Sequence, residues 1–321
     1  MTRASGTTYP GPHQAIAVET ASERFAAALF DRLWDAYRSR VSYVARYEEV
    51  VREASATFVN DHIAFRTFAC QRPATGVFTL SRIFDALGYR AAGTYHFEDK
   101  HLSAIHLQHP NARFPKLFIS ELKTWELSAS ARETIERALA KHRPMIDADL
   151  LTTLARLDDA SSVDSDRLLE TITAQFEQLP WPAPEKDDVA ALNRESQYAA
   201  WVLVHGYAVN HFTSLVNSHG VASLDNLEKT IDALRRAGVP MKAKIEGEPG
   251  SKLRQSATEA VTIPVAVADD GQSTTIDWTY AYFELAERNE VRDPQTGRRV
   301  RFEGFLGPQA TNLFEMTRVK S

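Results

Sequence analysis

The sequence predicts an α+β fold built from two βαβββ units, with helices ahead of the first unit and a helical block between the two. Three observations carry this. Segments of alternating polarity fall into two groups, residues 57–125 and 203–290. In each group a histidine in the leading strand precedes a helix ending in Asp-Ala-Leu: His62 lies 23 residues before Asp85, and His211 lies 21 before Asp232. Each group then closes in strands, "LFISELK" in the first and "YFELAER" in the second.

The elements follow in order. Residues 1–56 read as a short leader and N-terminal helices, with Phe25, Leu29, Leu33 and Tyr37 at helical spacing. "VNDHIAFRTF" alternates as a strand, and "GVFTLSRIFDALGY" is an amphipathic helix closed by Gly88. "YHFEDKHLSAIHLQH" and "FPKLFISELK" read as strands either side of the loop "PNARFP". Residues 126–202 form a helical insertion, broken at the proline-rich "LPWPAPEKDD". Strand character returns over 201–217, "WVLVHGYAVNHFTSLVN", and a helix follows with Ser223 or Asp225 as N-cap and Gly238 at its end. "AVTIPVAVA" and "IDWTYAYFELAER" are the remaining strands, and 291–321 is a C-terminal segment. The whole reads as a single catalytic domain, 1–321.

Composition narrows the function classes. A net charge of −5 does not favour nucleic acid or an anionic membrane as a partner. No apolar run reaches the roughly 18–20 residues a membrane span needs, and no apolar signal segment opens the chain. The single cysteine, Cys70, excludes an internal disulfide framework and a cysteine-rich zinc site, and reads as a buried small hydrophobe. No nucleophile elbow, P-loop or dinucleotide fingerprint is present. A cytoplasmic protein handling a small molecule is the expectation.

On a strand of period two, His62, Ala64 and Arg66 share one face, with Asp61, Ile63 and Phe65 on the other. A metal at His62 and a carboxylate held by Arg66 would suit an acid with a second charged end. His211 occupies the corresponding place in the second unit. "TYAYFELAER" puts Tyr280, Tyr282, Glu284 and Arg288 on one strand face, with Glu287 opposite. Two histidines and one carboxylate, with positions left open, form the ligand set favoured by oxygen-using non-haem Fe(II) enzymes. Glu121, taken as the first unit's counterpart of Glu284, is a candidate fourth ligand, an acceptor orienting a histidine, or a structural ion pair. His205 shares the expected strand with His211 but lies six residues away. His13, His142 and His219 read as loop or helix-surface residues, and the group His96, His101, His106 and His109 has no ligand spacing.

"DHIAFRTF", "KLFISEL", "HGYAVNHFTSLVN" and "YFELAER", in that order, resemble the 2-oxoadipate dioxygenase/decarboxylase family, also called D-2-hydroxyglutarate synthases, over roughly residues 20–315. The resemblance implies a vicinal-oxygen-chelate-like fold, a half-open β-barrel around a metal site, similar to hydroxymandelate synthase. It implies Fe(II), replaceable by another divalent metal in purified protein, held by His62, His211 and Glu284, with Arg66 on the substrate carboxylate. It implies O2 and a 2-oxo acid, foremost 2-oxoadipate, as reactants, giving 2-hydroxyglutarate and CO2. The family places a small hydroxyl residue near the substrate where this chain aligns Gln309, flanked by Pro308. Two other readings share these residues: a glyoxalase-type metal-dependent isomerase or lyase on the same fold, which a fourth ligand at Glu121 would favour, and a non-catalytic binding protein.

Overall fold

The computed structural model describes residues 11–144, 146–159 and 163–307. Helices α1 (Ala21–Arg40) and α2 (Tyr43–Glu53) lead the chain. The Thr20 side chain accepts the Glu23 N–H and so caps α1. Along α1, Phe25, Leu29, Phe30, Leu33, Trp34 and Tyr37 form one buried stripe. Its aromatic end meets the sheet, where the Trp34 ring lies 5.0 Å from Phe212 and 6.0 Å from Phe283. Residues 11–20, ahead of α1, are pinned through His13, which is buried and bonds Asp31 through Nδ1 at 2.8 Å and Asn60 through Nε2 at 2.9 Å. His219 is likewise buried, bonded to Tyr47 Oη at 2.8 Å and Leu224 O at 2.8 Å. Neither histidine is the surface residue its loop setting suggests.

The first strand group comprises β1 (Asn60–Gln71), β2 (Ala74–Thr75), α3 (Val77–Ala86), β3 (Arg90–Phe97), β4 (Leu102–Gln108) and β5 (Lys116–Lys123). The next elements are helical: α4 (Ala129–Leu139), α5 (Ala148–Ala155), α6 (Ser165–Glu177), α7 (Lys186–Glu195) and α8 (Gln197–His205). The second group is β6 (Val209–Leu215), α9 (Leu227–Arg236), β7 (Leu253–Ala257), β8 (Thr262–Asp269), β9 (Gln272–Thr279) and β10 (Glu284–Arg288), and the short hairpin β11 (Glu290–Arg292) and β12 (Arg299–Arg301) follows.

The main sheet runs β3-β4-β5-β1-β6-β10-β7, with β2 paired to the end of β1. It curls into a half-open barrel flanked by helices. The two groups meet at the antiparallel β1–β6 pair, and each leading strand has a parallel neighbour, β5 beside β1 and β10 beside β6. Ile63 and Phe65 pack away from the barrel interior, with the Phe65 ring 5.5 Å from Phe84 and 5.1 Å from Phe176.

Three elements depart from the sequence reading. Residues 201–205 are helical: α8 starts at its N-cap Ser196, stops at Gly206 (φ 60°), and is buried at Tyr198–His205. Being apolar all round, it shows no 3.6 period to distinguish it from a buried strand, and His205 therefore shares no strand with His211. "IDWTYAYFELAER" is two strands, not one, because the backbone of Tyr280–Phe283 leaves β9 to bond Val261 and Thr258. The β8–β9 hairpin stands as a separate sheet. Helix α9 takes its cap from Asn226, whose side chain accepts the Lys229 N–H at 2.9 Å, rather than from Ser223 or Asp225. Cys70 is only half-buried.

Candidate metal centre

The register of three strands creates the site. His62 on β1 and Glu284 on β10 both lie opposite Thr213 of β6, and His211 faces Ala64 two positions along β6. One ligand atom from each of His62, His211 and Glu284 falls within 4.8 Å of the others. His62 Nε2 is 3.3 Å from His211 Nε2 and 3.5 Å from Glu284 Oε1, and His211 Nε2 is 3.3 Å from Glu284 Oε2. All three side chains are buried.

Each histidine is turned by its sequence neighbour. His62 Nδ1 bonds Asp61 Oδ2 at 2.8 Å, and His211 Nδ1 bonds Asn210 Oδ1 at 2.9 Å. Acceptors on both Nδ1 atoms put the ring hydrogens there and leave both Nε2 lone pairs pointing at one another. Glu284 adds two more acceptor oxygens, and its Oε2 has no hydrogen-bond donor among the described residues. Gln255 Nε2 donates to Glu284 Oε1 at 2.5 Å, and Thr213 Oγ1 lies 3.0 Å from His62 Nε2. A buried cluster this rich in lone pairs, with the outer ring nitrogens already bonded, fits a divalent cation.

The electrostatics agree. Burial pushes His211 well below the usual imidazole range, with His62 and Arg66 adding to the effect. Burial lowers His62 too, partly opposed by its hydrogen bond to Asp61. Both rings are therefore held neutral, the form that ligates. Burial also drives the Glu284 carboxyl up to about 8, against the Gln255 hydrogen bond and with Asp61 reinforcing the rise. A cation among these groups relieves that penalty.

Period two puts Asp61 on the far face, yet its carboxylate reaches the site. The β1–β6 register slips between Asn60 and His62, and this bulge turns Asp61 inward. Its oxygens accept Arg288 Nε at 2.6 Å and Nη2 at 2.9 Å as well as His62. Burial alone would raise Asp61, but Arg288, Lys116 and the hydrogen bonds outweigh it and hold the carboxyl well below the ordinary range. Asp61→Asn removes one charge of a buried pair, so the fold should lose about 3–5 kcal/mol. Metal affinity should fall roughly 10–100-fold, because the ring is oriented less firmly. Denaturant unfolding and iron titration of the variant check the two effects separately.

Arg66 sits four residues beyond His62 on the same cavity-lining face, with Ala64 between them. Phe118, Ser120, Gln255, Tyr282, Phe305 and Leu306 complete much of the wall. Phe305 closes one side, its ring 4.9 Å from His62 and 5.0 Å from Phe118. The Phe305 segment is fastened by Arg288, which donates to Phe302 O at 3.1 Å and Gly304 O at 2.6 Å. Gln309 lies outside the described residues.

Glu121 is not at the centre. Its Oε2 accepts the Val77 N–H at 2.7 Å and so serves the first turn of α3. The register explains this: Ala64, two past His62, pairs with Phe118, whereas Thr213, two past His211, pairs with Glu284. The counterpart of Glu284 is thus Phe118, an aromatic wall. Glu287, the competitor for Glu284, faces away, bonding the Leu227 N–H at 3.1 Å and Arg254. The sequence reading overlooked Asp61, Asn210, Gln255 and Arg288 as supports. A signal for the first two was present, since each candidate histidine directly follows an acceptor side chain, in "DH" and "NH".

Known proteins resemble the chain over most of its length. It is 27% identical to the chloroplastic 2-oxoadipate dioxygenase/decarboxylase of Arabidopsis thaliana, covering 93% of this chain and 79% of that protein. The structure of hydroxyglutarate synthase from Oryza sativa in complex with 2-oxoadipate superposes with a TM-score of 0.73 at 25% identity, covering 98% of both chains. The corresponding Pseudomonas putida complex, at 17% identity, shares the fold with a TM-score of 0.64 over 90% of this chain and 67% of that one. The profile of the 2-oxoadipate dioxygenase/decarboxylase family matches residues 27–307, and the chain belongs to that family.

Proposed function

We propose that this enzyme is a non-haem Fe(II)-dependent dioxygenase/decarboxylase that converts 2-oxoadipate and O2 to 2-hydroxyglutarate and CO2. The observation that carries the reading is the buried cluster of His62, His211 and Glu284, whose two histidines line one cavity with Arg66, a buried arginine on the same strand face as His62. The balance closes without an outside reductant: the carbon–carbon bond to the first carboxylate breaks, CO2 leaves, and both atoms of O2 end in the shortened acid. Iron(II), when bound by the three ligands, supplies the redox change that lets O2 react with the oxo acid.

The chain's own residues position and shield. Asp61 and Asn210 hold the two imidazoles in the ligating tautomer, and Gln255 fixes Glu284. Arg66 offers two parallel donors that match the distal carboxylate. Phe118 and Phe305 keep water from the reacting end. We read the chain as one catalytic domain of two related halves, 57–125 and 203–290, flanked by 1–56 and 291–321 and separated by the insertion 126–202; the second half departs from the expected βαβββ order because β8 and β9 form their own hairpin. With one cysteine and no disulfide framework, we place it in the cytoplasm. No described helix is long and apolar enough to cross a membrane.

The test is anaerobic Fe(II) loading followed by oxygen uptake over a panel of 2-oxo acids. Equal consumption of O2 and 2-oxoadipate, with CO2 and a 2-hydroxy acid formed, is expected. Metal-dependent turnover without oxygen uptake would move the protein to the isomerases and lyases, a reading that loses its fourth ligand now that Glu121 serves α3. Tight binding without turnover would leave a binding protein.

A further inference from the structure

The helical insertion reaches the cavity-lining Arg66 through α8. Tyr198 and Trp201 lie three residues apart on that helix, a spacing that puts both on one face. The Arg66 Cζ atom is 5.0 Å from the Tyr198 ring centroid and 5.1 Å from that of Trp201, so two aromatic rings hold one guanidinium. Both rings are themselves fixed. Tyr198 Oη donates to Ser120 O at 2.8 Å and accepts the Thr67 N–H at 3.3 Å. Trp201 Nε1 donates to Tyr280 O at 2.6 Å, and its ring stacks on Tyr280 with an interplanar angle of 7°. Arg66 is 1% exposed and Trp201 is fully buried.

An arginine otherwise brings considerable rotamer freedom to a ligand and loses it on binding. Two packed rings remove that freedom beforehand and set the fork at one distance from His62 and His211. We infer that Tyr198 and Trp201 are positioning residues that hold the Arg66 guanidinium at a fixed reach from the metal end, so that α8 sets the chain length of the diacid accepted. This rests on the proposed oxidation of a 2-oxo diacid and adds the structural origin of its length selectivity. The helical insertion, on this view, is part of the substrate ruler.

The test uses the full-length, iron-loaded enzyme with unbranched 2-oxo diacids of five, six and seven carbons, measuring kcat and KM for each. Wild type should prefer one length over its neighbours by roughly 10–200-fold, the range one methylene commands in a shaped site. Tyr198→Met should raise KM for the preferred diacid about tenfold, with a smaller change in kcat, and flatten the preference. Tyr198→Phe keeps the ring face but loses the hydroxyl's bonds to Ser120 O and the Thr67 N–H, so it should retain more of the preference than Tyr198→Met. In an Arg66→Lys background, Tyr198→Met should add little, because both changes remove the same fork. Stepwise fluorination of the Trp201 ring alters its electrons with little change of shape; KM should climb with each fluorine even if Tyr198→Met does not fold. Unchanged length preference in Tyr198→Met, additive losses in the double variant, or indifference to fluorination would overturn the inference while leaving the reaction standing. Failure of wild type to oxidise any diacid would overturn both.

Discussion

His62→Ala should abolish oxygen uptake and reduce iron affinity by at least about a thousandfold, more than the 10–100-fold that follows loss of an outer partner. The argument is one of donors. Without His62 the cluster keeps one imidazole and one carboxylate, and the opposed lone pairs that favour a cation are gone. The fold should survive, because Asp61 remains paired with Arg288 and the β1–β6 ladder does not depend on the ring. Metal analysis after anaerobic loading, oxygen-electrode assay and a thermal melt give the three readouts. A variant that retained stoichiometric iron and turnover would refute the ligand assignment.

Arg66→Lys comes next in size. Lysine keeps the charge but offers a point donor where the guanidinium offers a planar fork. Charge-assisted hydrogen bonds contribute about 1.5–3 kcal/mol each, so losing one or two should lower kcat/KM for 2-oxoadipate by roughly ten- to ten-thousandfold, at 1.36 kcal/mol per tenfold. Iron affinity should hardly move. The decisive comparison is with a 2-oxo acid lacking the distal carboxylate. Loss confined to the diacid places Arg66 at the distal end, whereas equal losses on both substrates would show that it serves the oxo-acid end or the fold.

Much of this was legible in the residues, for identifiable reasons. A strand with one face toward a cavity must repeat with period two, so His62, Ala64 and Arg66 could be grouped before any coordinates. Helices α3 and α9 were legible because each is amphipathic and ends at a glycine of positive φ, Gly88 and Gly238. What escaped reading depends on neighbours in space. Asp61 enters the site through a bulge, which period two does not anticipate. Phe118 rather than Glu121 matches Glu284, because register belongs to the pairing and not to either strand. The second half of helix α8, residues 201–205, reads as strand because burial on every side erases the periodic signal; Ser196 and Gly206 at the helix ends are the remaining clues.

The centre is assembled from distant parts of the chain, and this bears on when it comes into being. His62 and His211 are 149 residues apart, and Glu284 comes later still. At a synthesis rate of about 5–20 residues per second, roughly 10–45 s separate the emergence of the first ligand from that of the last. Between the emergence of β5 and that of β6, β1 has its parallel partner but lacks its antiparallel one, and one edge of the early sheet is open. Nascent chains would therefore be most vulnerable to misassociation midway through translation, and a captured ion would act late, as a clasp between halves that have already folded.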